Sequence, residues 1–566
     1  MTVLRQLVFL VSLACPALAQ EPLMFGAPVT GGISGGQSLD FRFTASAGDE
    51  VSGHAELLGV EGNLRFLDAA GNSVPGLKVR NWYLGGTAGR RVGFVAPASG
   101  TYQLRVTASS PTGGTYTLRL ERLSVASRMR GVSVTPKEVS TSERIRQLSR
   151  DVQQGRRDVV DQFWREVAGK GPLVESIEGN DRDLLVTFLW RETYQTHNVL
   201  VGWPMAAWRA DDYYMSRLSN TDVWYKTIQL RRGSRFSYWL APNLGEGAGD
   251  RVFKDQLDPL NPRVFPEDPN STTDVSSVLD TPGAPDETWV RRTPARRGVV
   301  EQKKFRFTLS GAESDIWVYT PPDYAAAAGP YPLLVLFDGD TYVRADFNDA
   351  IRTLDNLISD RRMRPVVVCF VDSLFRRLSP RNPVGDVMAA YGDAIVGELL
   401  PQLRSTYAIS ASARDAVVGG FSAGGLMASL TARRHSDVFG NVLAQSGAFR
   451  LRMQLPLIDA MVPSLTTLTK GGEEPTSIAQ MYLDAPRLPI RFYLETGLYE
   501  NTPSATLPMH EMALDEGITA SNRHFRDVLI AKGYEVIYRE TPGAHESVHW
   551  RATLAEALVT LFTRAE

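Results

Sequence analysis

The stretch AVVGGFSAGGLMASLTARR, residues 416–434, decides how the C-terminal half of the chain folds. The apolar residues 416–418 predict a buried strand, and GLMASLTARR predicts a helix. Between them lies a G-x-S-x-G sequence, Gly420-Phe421-Ser422-Ala423-Gly424. A strand, a tight turn and a helix in this order are typical of a nucleophile elbow, which raises a serine hydroxyl above a sheet. The motif is weak alone, but this setting predicts Ser422 as a nucleophile.

Strand-like and helical runs alternate around this elbow, from about residue 301 to residue 566. The continuous Val, Ile and Leu runs indicate strands buried on both faces, as in a parallel sheet. We therefore predict an α/β-hydrolase domain with a mostly parallel sheet over 301–566. Its predicted strands are 315–320, 332–338, 365–372, 415–420, 441–447, 490–497 and 535–540, and its predicted helices are about 345–359, 385–406, 424–434, 519–532 and 551–564.

A serine hydroxyl needs a base to accept its proton. The sequence contains seven histidines, and in the α/β-hydrolase order the base follows the last strand. His545 stands just after the last predicted strand, EVIYRE (535–540), and is the predicted base. His549, four residues later, is the alternative.

The acid that orients the histidine should follow the penultimate strand, IRFYLETG (490–497). Glu500 stands in the loop directly after that strand and is the predicted acid. A Ser–His dyad without an acid also remains open. The other candidate carboxylates are Asp515, Glu511 and Glu495.

An oxyanion hole needs two backbone N–H groups aimed at the developing negative charge. Ala423, directly after the nucleophile, is predicted to supply one. Gly339 or Asp340, in the loop after the strand PLLVLFD (332–338), is predicted to supply the other.

The N-terminal half is predicted to be rich in β-structure. Alternating runs separated by turn residues predict a β-sandwich over 22–123, and aromatic and β-branched runs predict a second, immunoglobulin-like β-domain over 140–300. Residues 136–168 are predicted to be a linker and a surface helix without a long apolar face. Residues 243–300, rich in Pro, Asp and Gly, are predicted to run over the surface. The predicted chain is therefore multidomain, with two N-terminal β-sandwiches followed by the α/β-hydrolase domain.

The first residues, MTVLRQLVFLVSLACPALAQ, have the pattern of a secretory signal peptide over 1–19, with an A-x-A cleavage site at its end. Lipidation at Cys15 is the alternative. No later run is predicted to span a membrane. We expect an exported protein, periplasmic or secreted.

The composition argues against several kinds of partner. The 61 basic and 63 acidic side chains give no reason to expect a nucleic-acid partner. The histidines form no H-E-x-x-H or comparable pattern, so neither a metal nor another cofactor is predicted. The expected partner is a small-molecule ester, and the sequence does not determine the oligomeric state.

Several segments resemble the enterochelin (enterobactin) esterases, over roughly residues 140–566. His545 with Trp550-Arg551 resembles the family's H-x-x-x-x-W-R pattern. The other matching segments are LFDGD (336–340), SAGGL (422–426), FGNVLAQSGAF (439–449), ETGLYE (495–500), VTFLWR (186–191) and DPLNP (258–262). Residues 22–123 separately resemble bacterial pre-peptidase C-terminal domains, which implies a binding or spacer module.

The resemblance implies hydrolysis of the cyclic trilactone of a tris-catecholate siderophore, which releases its iron. A ferric siderophore is anionic, and arginine suits such a ligand. Arg376, Arg377 and Arg381, in the loop after the third strand, together with Trp550, are therefore implied as substrate-binding residues. The alternatives are a carbohydrate esterase of the feruloyl or acetyl xylan type and a non-catalytic siderophore- or glycan-binding protein.

Overall fold

The computed structural model describes residues 21–78, 82–84, 89–125, 140–204, 210–244, 255–268, 274–308, 313–372, 391–449, 477–500 and 517–563. Several predictions lie outside the described residues. They concern the signal peptide, the carboxylates Asp515 and Glu511, and the substrate-binding Arg376, Arg377 and Arg381.

The first region, up to Leu123, consists of strands in two sheets with the orders β1-β3-β8-β5-β6 and β2-β9-β4-β7. Alternate side chains from both sheets, such as Phe41 and Phe94, are fully buried in one shared hydrophobic cluster. The strands are β1 (Glu21–Pro22), β2 (Pro28–Ile33), β3 (Ser38–Ala45), β4 (Glu50–Leu58), β5 (Gly62–Asp68), β6 (Trp82–Leu84), β7 (Arg90–Val95), β8 (Gly100–Ala108) and β9 (Gly114–Leu123).

The second region again contains two sheets, with the orders β10-β11-β14-β13 and β12-β15-β17-β16. Phe188 and Phe236, one from each sheet, lie in a common core. The elements are α1 (Glu143–Gln153), α2 (Val159–Val167), β10 (Leu173–Ile177), β11 (Asn180–Arg191), β12 (Val199–Gly202), β13 (Ser216–Arg217), β14 (Val223–Arg231), β15 (Arg235–Pro242), β16 (Val264–Phe265), β17 (Ser276–Asp280) and α3 (Thr288–Arg291).

Two predictions for this region are wrong in part. Helices α1 and α2 do have an apolar face, because Leu148 and Phe163 are buried in a cluster with β11 and β14 residues. Residues 243–300 do not simply run over the surface, because β17 pairs with β15 and its Leu279 joins the core. The pattern was misleading because only a short buried strand lies among many turn residues.

The third region contains an eight-stranded sheet with the order β18-β19-β21-β20-β22-β23-β24-β25. The pairs from β21 to β25 are parallel, and β18 and β19 are added antiparallel at one edge. The strands are β18 (Val299–Arg306), β19 (Glu313–Thr320), β20 (Leu333–Leu336), β21 (Val367–Val371), β22 (Ala416–Phe421), β23 (Asn441–Gln445), β24 (Arg491–Gly497) and β25 (Glu535–Thr541).

Helices cover both faces of this sheet. On β20, Leu333 and Val335 belong to one buried cluster, and Leu334 and Leu336 belong to the cluster on the opposite face. Both faces are therefore buried, as the continuous apolar runs predict. The helices are α4 (Gly339–Tyr342), α5 (Ala350–Ser359), α6 (Leu400–Thr406), α7 (Ala423–Arg434), α8 (Ile478–Asp484), α9 (Gly517–Ala531) and α10 (Ser547–Phe562), with a π-helical turn over Ile395–Leu399.

Most predicted elements are present with boundaries shifted by a few residues, as at the last helix, which was predicted from about residue 551 and begins at Ser547. The helix predicted from about residue 345 begins at Ala350, and its N-cap is Asp349. Strand β18 was not predicted, because this edge strand is charged and mostly exposed. Within the described ranges, no helix is both long enough and apolar enough to cross a membrane.

A buried cluster of charges joins the second region to α10. Glu287, only 6% exposed, accepts hydrogen bonds from Arg551 at 2.8 Å, Arg291 at 2.9 Å and Arg263 at 2.5 Å. Burial alone would raise the pKa of Glu287, but the surrounding arginines hold that pKa down at about 2. The carboxylate is therefore ionised at neutral pH and holds α10 against the β-structure.

Candidate active site

Ser422 lies at the turn between β22 and α7. Its backbone has φ 52° and ψ −119°, a conformation that L-residues rarely adopt and that is typical of a nucleophile elbow. The Ser422 N–H donates to the carbonyl oxygen of Gln445 at 2.9 Å, and its own carbonyl accepts from the Ala448 N–H at 3.0 Å. These bonds to the neighbouring strand β23 and the loop after it hold the strained turn in place.

The glycines on either side of Ser422 are required by close packing. A Cβ atom on Gly420 would lie 2.8 Å from the carbonyl carbon of Gly424. A Cβ atom on Gly424 would lie 2.4 Å from the Asp338 carboxylate. The elbow therefore packs directly against Asp338, the N-cap residue of α4.

His545 lies in the loop between β25 and α10. Its Nε2 atom is 2.8 Å from Ser422 Oγ, and 17% of its side chain is exposed. The other ring nitrogen, Nδ1, is 3.0 Å from Glu500 Oε2. Because a carboxylate only accepts hydrogen bonds, this contact assigns the ring proton to Nδ1 and leaves Nε2 free to accept the serine proton.

Glu500 lies in the loop that leaves β24, and its side chain is fully buried. Its second oxygen, Oε1, accepts hydrogen bonds from Ser446 Oγ at 2.7 Å and from the Gly497 N–H at 2.6 Å. With both oxygens engaged, the carboxylate has one orientation and points Oε2 at His545. The sequence-predicted Ser422, His545 and Glu500 are thus brought together in one chain of hydrogen bonds.

The alternative residues make other contacts. Glu495, in β24, accepts hydrogen bonds from Gln445 and Thr553, and burial raises its pKa to about 7. His549 is 1% exposed, and its Nε2 is 3.0 Å from Thr541 Oγ1. Burial lowers the pKa of His549 to about 4, so its ring is neutral at pH 7.

Trp550 is buried and contacts protein groups around His545. Its indole stacks on Phe421 at 4.4 Å between ring centroids and lies edge-on to His545 at 4.9 Å. Its N–H donates to Ser446 Oγ at 2.9 Å. Trp550 and Ser446 therefore extend the hydrogen-bond chain behind Glu500.

Ser446 was not singled out by sequence reasoning. It is completely buried with a positive φ of 52°, and its contacts come from segments about fifty and one hundred residues away. The segment FGNVLAQSGAF was noted only for its family resemblance, which was the one available signal.

The predicted oxyanion-hole residues begin two helices at the same edge of the sheet. Ala423 is the first residue of α7, and Gly339 and Asp340 are the first two residues of α4. Strands β22 and β20, which precede these helices, are neighbouring and parallel. The N–H groups of a helix's first turn lie at its positive end, where negative charge is stabilised. They are therefore suited to bind a developing oxyanion.

The described parts of the chain contain no candidate metal site. There, no group of three or more His, Cys, Asp or Glu side chains could hold a metal ion. Cys369 is a buried free thiol in β21, and burial raises its pKa to about 12.

Two sequence families match this chain. Residues 309–561 match a family described as putative esterase. Residues 185–290 match a family described as the N-terminal domain of enterochelin esterase. The two matches place a region similar to that N-terminal domain before an esterase domain.

Relatives with named activities align with about 70% of this chain. An iron(III) enterobactin esterase of Escherichia coli O6:H1 is 25% identical over 414 residues, which are 68% of this chain and 92% of that protein. An iron(III) salmochelin esterase of the same organism is 25% identical over 411 residues, 70% of this chain and 92% of that protein. The crystal structure of a ferric enterobactin esterase from Salmonella typhimurium has a TM-score of 0.53 and 23% identity, covering 71% of this chain and 98% of its own.

Proposed function

The chain belongs to the enterochelin esterase family and is a carboxylic ester hydrolase, and from this premise we propose that it hydrolyses the ester bonds of a catecholate siderophore. The observation that carries this proposal is the chain of hydrogen bonds from Ser422 through His545 to Glu500. Its setting supports the substrate class, because relatives named as enterobactin and salmochelin esterases share both the esterase domain and the preceding β-region.

The proposed reaction is acyl transfer. Ser422 Oγ bonds to the ester carbonyl carbon while His545 Nε2 takes the hydroxyl proton. The imidazolium, stabilised by Glu500, then gives that proton to the leaving alkoxide as the C–O bond breaks. A water molecule next gives its proton to His545 and bonds to the acyl carbon, and Ser422 leaves with the proton returned.

The negative charge of the tetrahedral intermediate would be held by backbone N–H groups. Ala423 supplies one, and Gly339 or Asp340 supplies the other. The position of all three residues in the first turns of α7 and α4 supports this assignment. In this mechanism Trp550 supports the imidazole, as its burial against His545 suggests, rather than contacting substrate.

The remaining parts of the chain are assigned by sequence. The arginines Arg376, Arg377 and Arg381 would bind the anionic catecholate groups. Residues 22–123 and 140–300 would form two β-sandwich domains, the first a binding or spacer module. The signal-peptide pattern over 1–19 supports export to the periplasm or beyond.

A panel of esters tests the substrate class. The purified protein would be assayed with ferric and iron-free enterobactin, linear catecholate esters, feruloyl esters, acetylated xylan and a chromogenic short-chain ester. We expect the highest kcat/KM on the catecholate esters. A preference for feruloyl or acetyl esters would instead favour a carbohydrate esterase, and hydrolysis of none would favour a binding protein.

The identity of the acid is tested by exchanging carboxylates for amides. Glu500→Gln should lower kcat by about 10³- to 10⁴-fold, because the amide favours the wrong imidazole tautomer and no longer stabilises the imidazolium. Glu495→Gln is the matched control, since that carboxyl group is also buried near the site but bonds to Gln445 and Thr553. Equal losses in both variants, or none in the first, would contradict the assignment.

A further inference from the structure

The loops that carry Glu500 and His545 contact the second region of the chain as well as the catalytic sheet. Strand β12 pairs with β15 only over Trp239–Pro242. This leaves one edge of the N-terminal half of β15 available, and that edge faces the loop around His545.

The backbone of the His545 loop occupies this edge. The Arg235 N–H donates to the Pro542 carbonyl oxygen at 3.0 Å, and Arg235 forms a parallel bridge with Gly543. Ala544, next to His545, is 1% exposed and lies in the core shared by the two sheets of the second region. The residues just before His545 are therefore packed as part of the β-structure.

The Glu546 carboxylate binds β15 two residues beyond Arg235, at Ser237. Along a strand, the N–H groups of residues i and i+2 point in the same direction. Accordingly, the Ser237 N–H donates to Glu546 Oε1 at 2.7 Å, and Ser237 Oγ donates to Oε2. The residues on both sides of His545 are thus fixed to alternate positions of one strand.

Tyr499 makes the corresponding contact for the acid loop. Its hydroxyl oxygen accepts from the Arg231 N–H at 3.1 Å and is 2.9 Å from Ser234 Oγ. Its ring packs against Trp203 and Phe236, with centroids 5.7 and 5.6 Å away. These contacts hold Tyr499 in place and so fix the backbone position of the next residue, Glu500.

We propose that the turn and strand over residues 231–237 set the distance between the acid and base loops, with Tyr499, Ser237 and Glu546 as positioning residues for the reaction at Ser422. This inference rests on the proposed function. It assigns the second region a direct part in catalysis, because a displacement of about 1 Å between reacting groups can cost about 100-fold in rate.

Kinetics of full-length variants on a chromogenic short-chain ester test the proposal. Glu546→Ala should lower kcat by about 10- to 100-fold with little change in KM, because alignment rather than binding is lost. Glu546→Gln should retain most of kcat, because its amide can still accept from the Ser237 N–H. Tyr499→Phe, which keeps the ring packing, should lower kcat by about 5-fold.

Asp360→Asn is the matched control. Asp360 accepts from Arg292 at 2.7 Å, a contact that also links the second region to the catalytic domain but involves neither loop. It should keep the kcat of the unmodified chain. Circular dichroism and melting curves would establish that each variant is folded, and if Glu546→Ala does not fold, Tyr499→Phe decides.

Three outcomes would overturn the proposal: unchanged kcat in Glu546→Ala and Tyr499→Phe, an equal loss in Asp360→Asn, or a loss in Glu546→Gln as large as in Glu546→Ala. Including Ser422→Ala separates this failure from that of the proposed function. If Ser422→Ala hydrolyses the ester at the rate of the unmodified chain, the proposed function itself is wrong.

Discussion

Ser422→Ala should reduce kcat for ester hydrolysis by at least about 10⁴-fold while the protein stays folded. Alanine removes the hydroxyl that forms the acyl-enzyme bond, and nothing in the turn depends on that hydroxyl alone. The turn is held instead by the backbone bonds from Ser422 to Gln445 and Ala448. Steady-state kinetics on a chromogenic ester would measure the loss, and circular dichroism and the melting temperature should be almost unchanged.

Ser429→Ala is the control for this substitution. Ser429 is a fully buried serine in α7, the helix that follows Ser422, and its hydroxyl donates to the Gly425 carbonyl oxygen at 3.0 Å. Its replacement should change kcat by less than about threefold, because no reacting group loses a contact. Substantial turnover in Ser422→Ala, or equal losses in the two variants, would contradict the assignment of the nucleophile.

His545→Gln should reduce kcat by a comparable factor, at least about 10⁴-fold, because nucleophile and base act as one unit. Without the imidazole, no group takes the proton from Ser422 Oγ, and glutamine cannot do so at neutral pH. Full kinetics at several pH values would test this. Raising the pH should increase the kcat of His545→Gln by less than tenfold, since hydroxide only partly replaces the missing base.

His549→Gln separates the two neighbouring histidines. His549 is buried, neutral at pH 7 and bonded to Thr541, and it packs so closely that a Cβ atom on Gly543 would lie 2.0 Å from its Nδ1. We expect a lower melting temperature and activity within about tenfold of the unmodified chain. Inactivation by His549→Gln together with full activity of His545→Gln would exchange the two roles.

The parts of the site that are local in sequence were the most predictable. The elbow could be read from a single stretch, because the strand, the glycines and the helix around Ser422 are contiguous. His545 followed from chain order alone, since the base of this fold comes after the last strand. The continuous apolar runs over 301–566 also predicted a sheet buried on both faces.

The long-range contacts could not be predicted in the same way. Its place in the loop after the strand favoured Glu500 over Glu495, but only the folded chain determines that the Glu500 carboxylate faces His545 and the Glu495 carboxylate faces Thr553. The role of Ser446 follows only from its contacts with Glu500 and Trp550, which are far away in sequence. Trp550 was implied to bind substrate, yet its burial between Phe421 and His545 depends on the packing of α10 against the elbow.

The role of the second region was equally hidden. The sequence of β15 is that of an ordinary apolar strand. Only the register of β12 shows that β12 does not pair with residues 235–238 of β15, the part that the His545 loop contacts. The buried strand β17 was obscured by the turn residues around it. Both features matter for the site, because they determine which surface the His545 loop meets.

The most direct test of the central claim is covalent labelling with a phosphonate ester that mimics the tetrahedral intermediate, followed by peptide mass spectrometry. We predict one adduct, on Ser422, formed by the unmodified chain and absent from Ser422→Ala, with much slower labelling of His545→Gln. An adduct on a different residue, or equal labelling of Ser422→Ala, would contradict the claim that Ser422 is the nucleophile of this esterase.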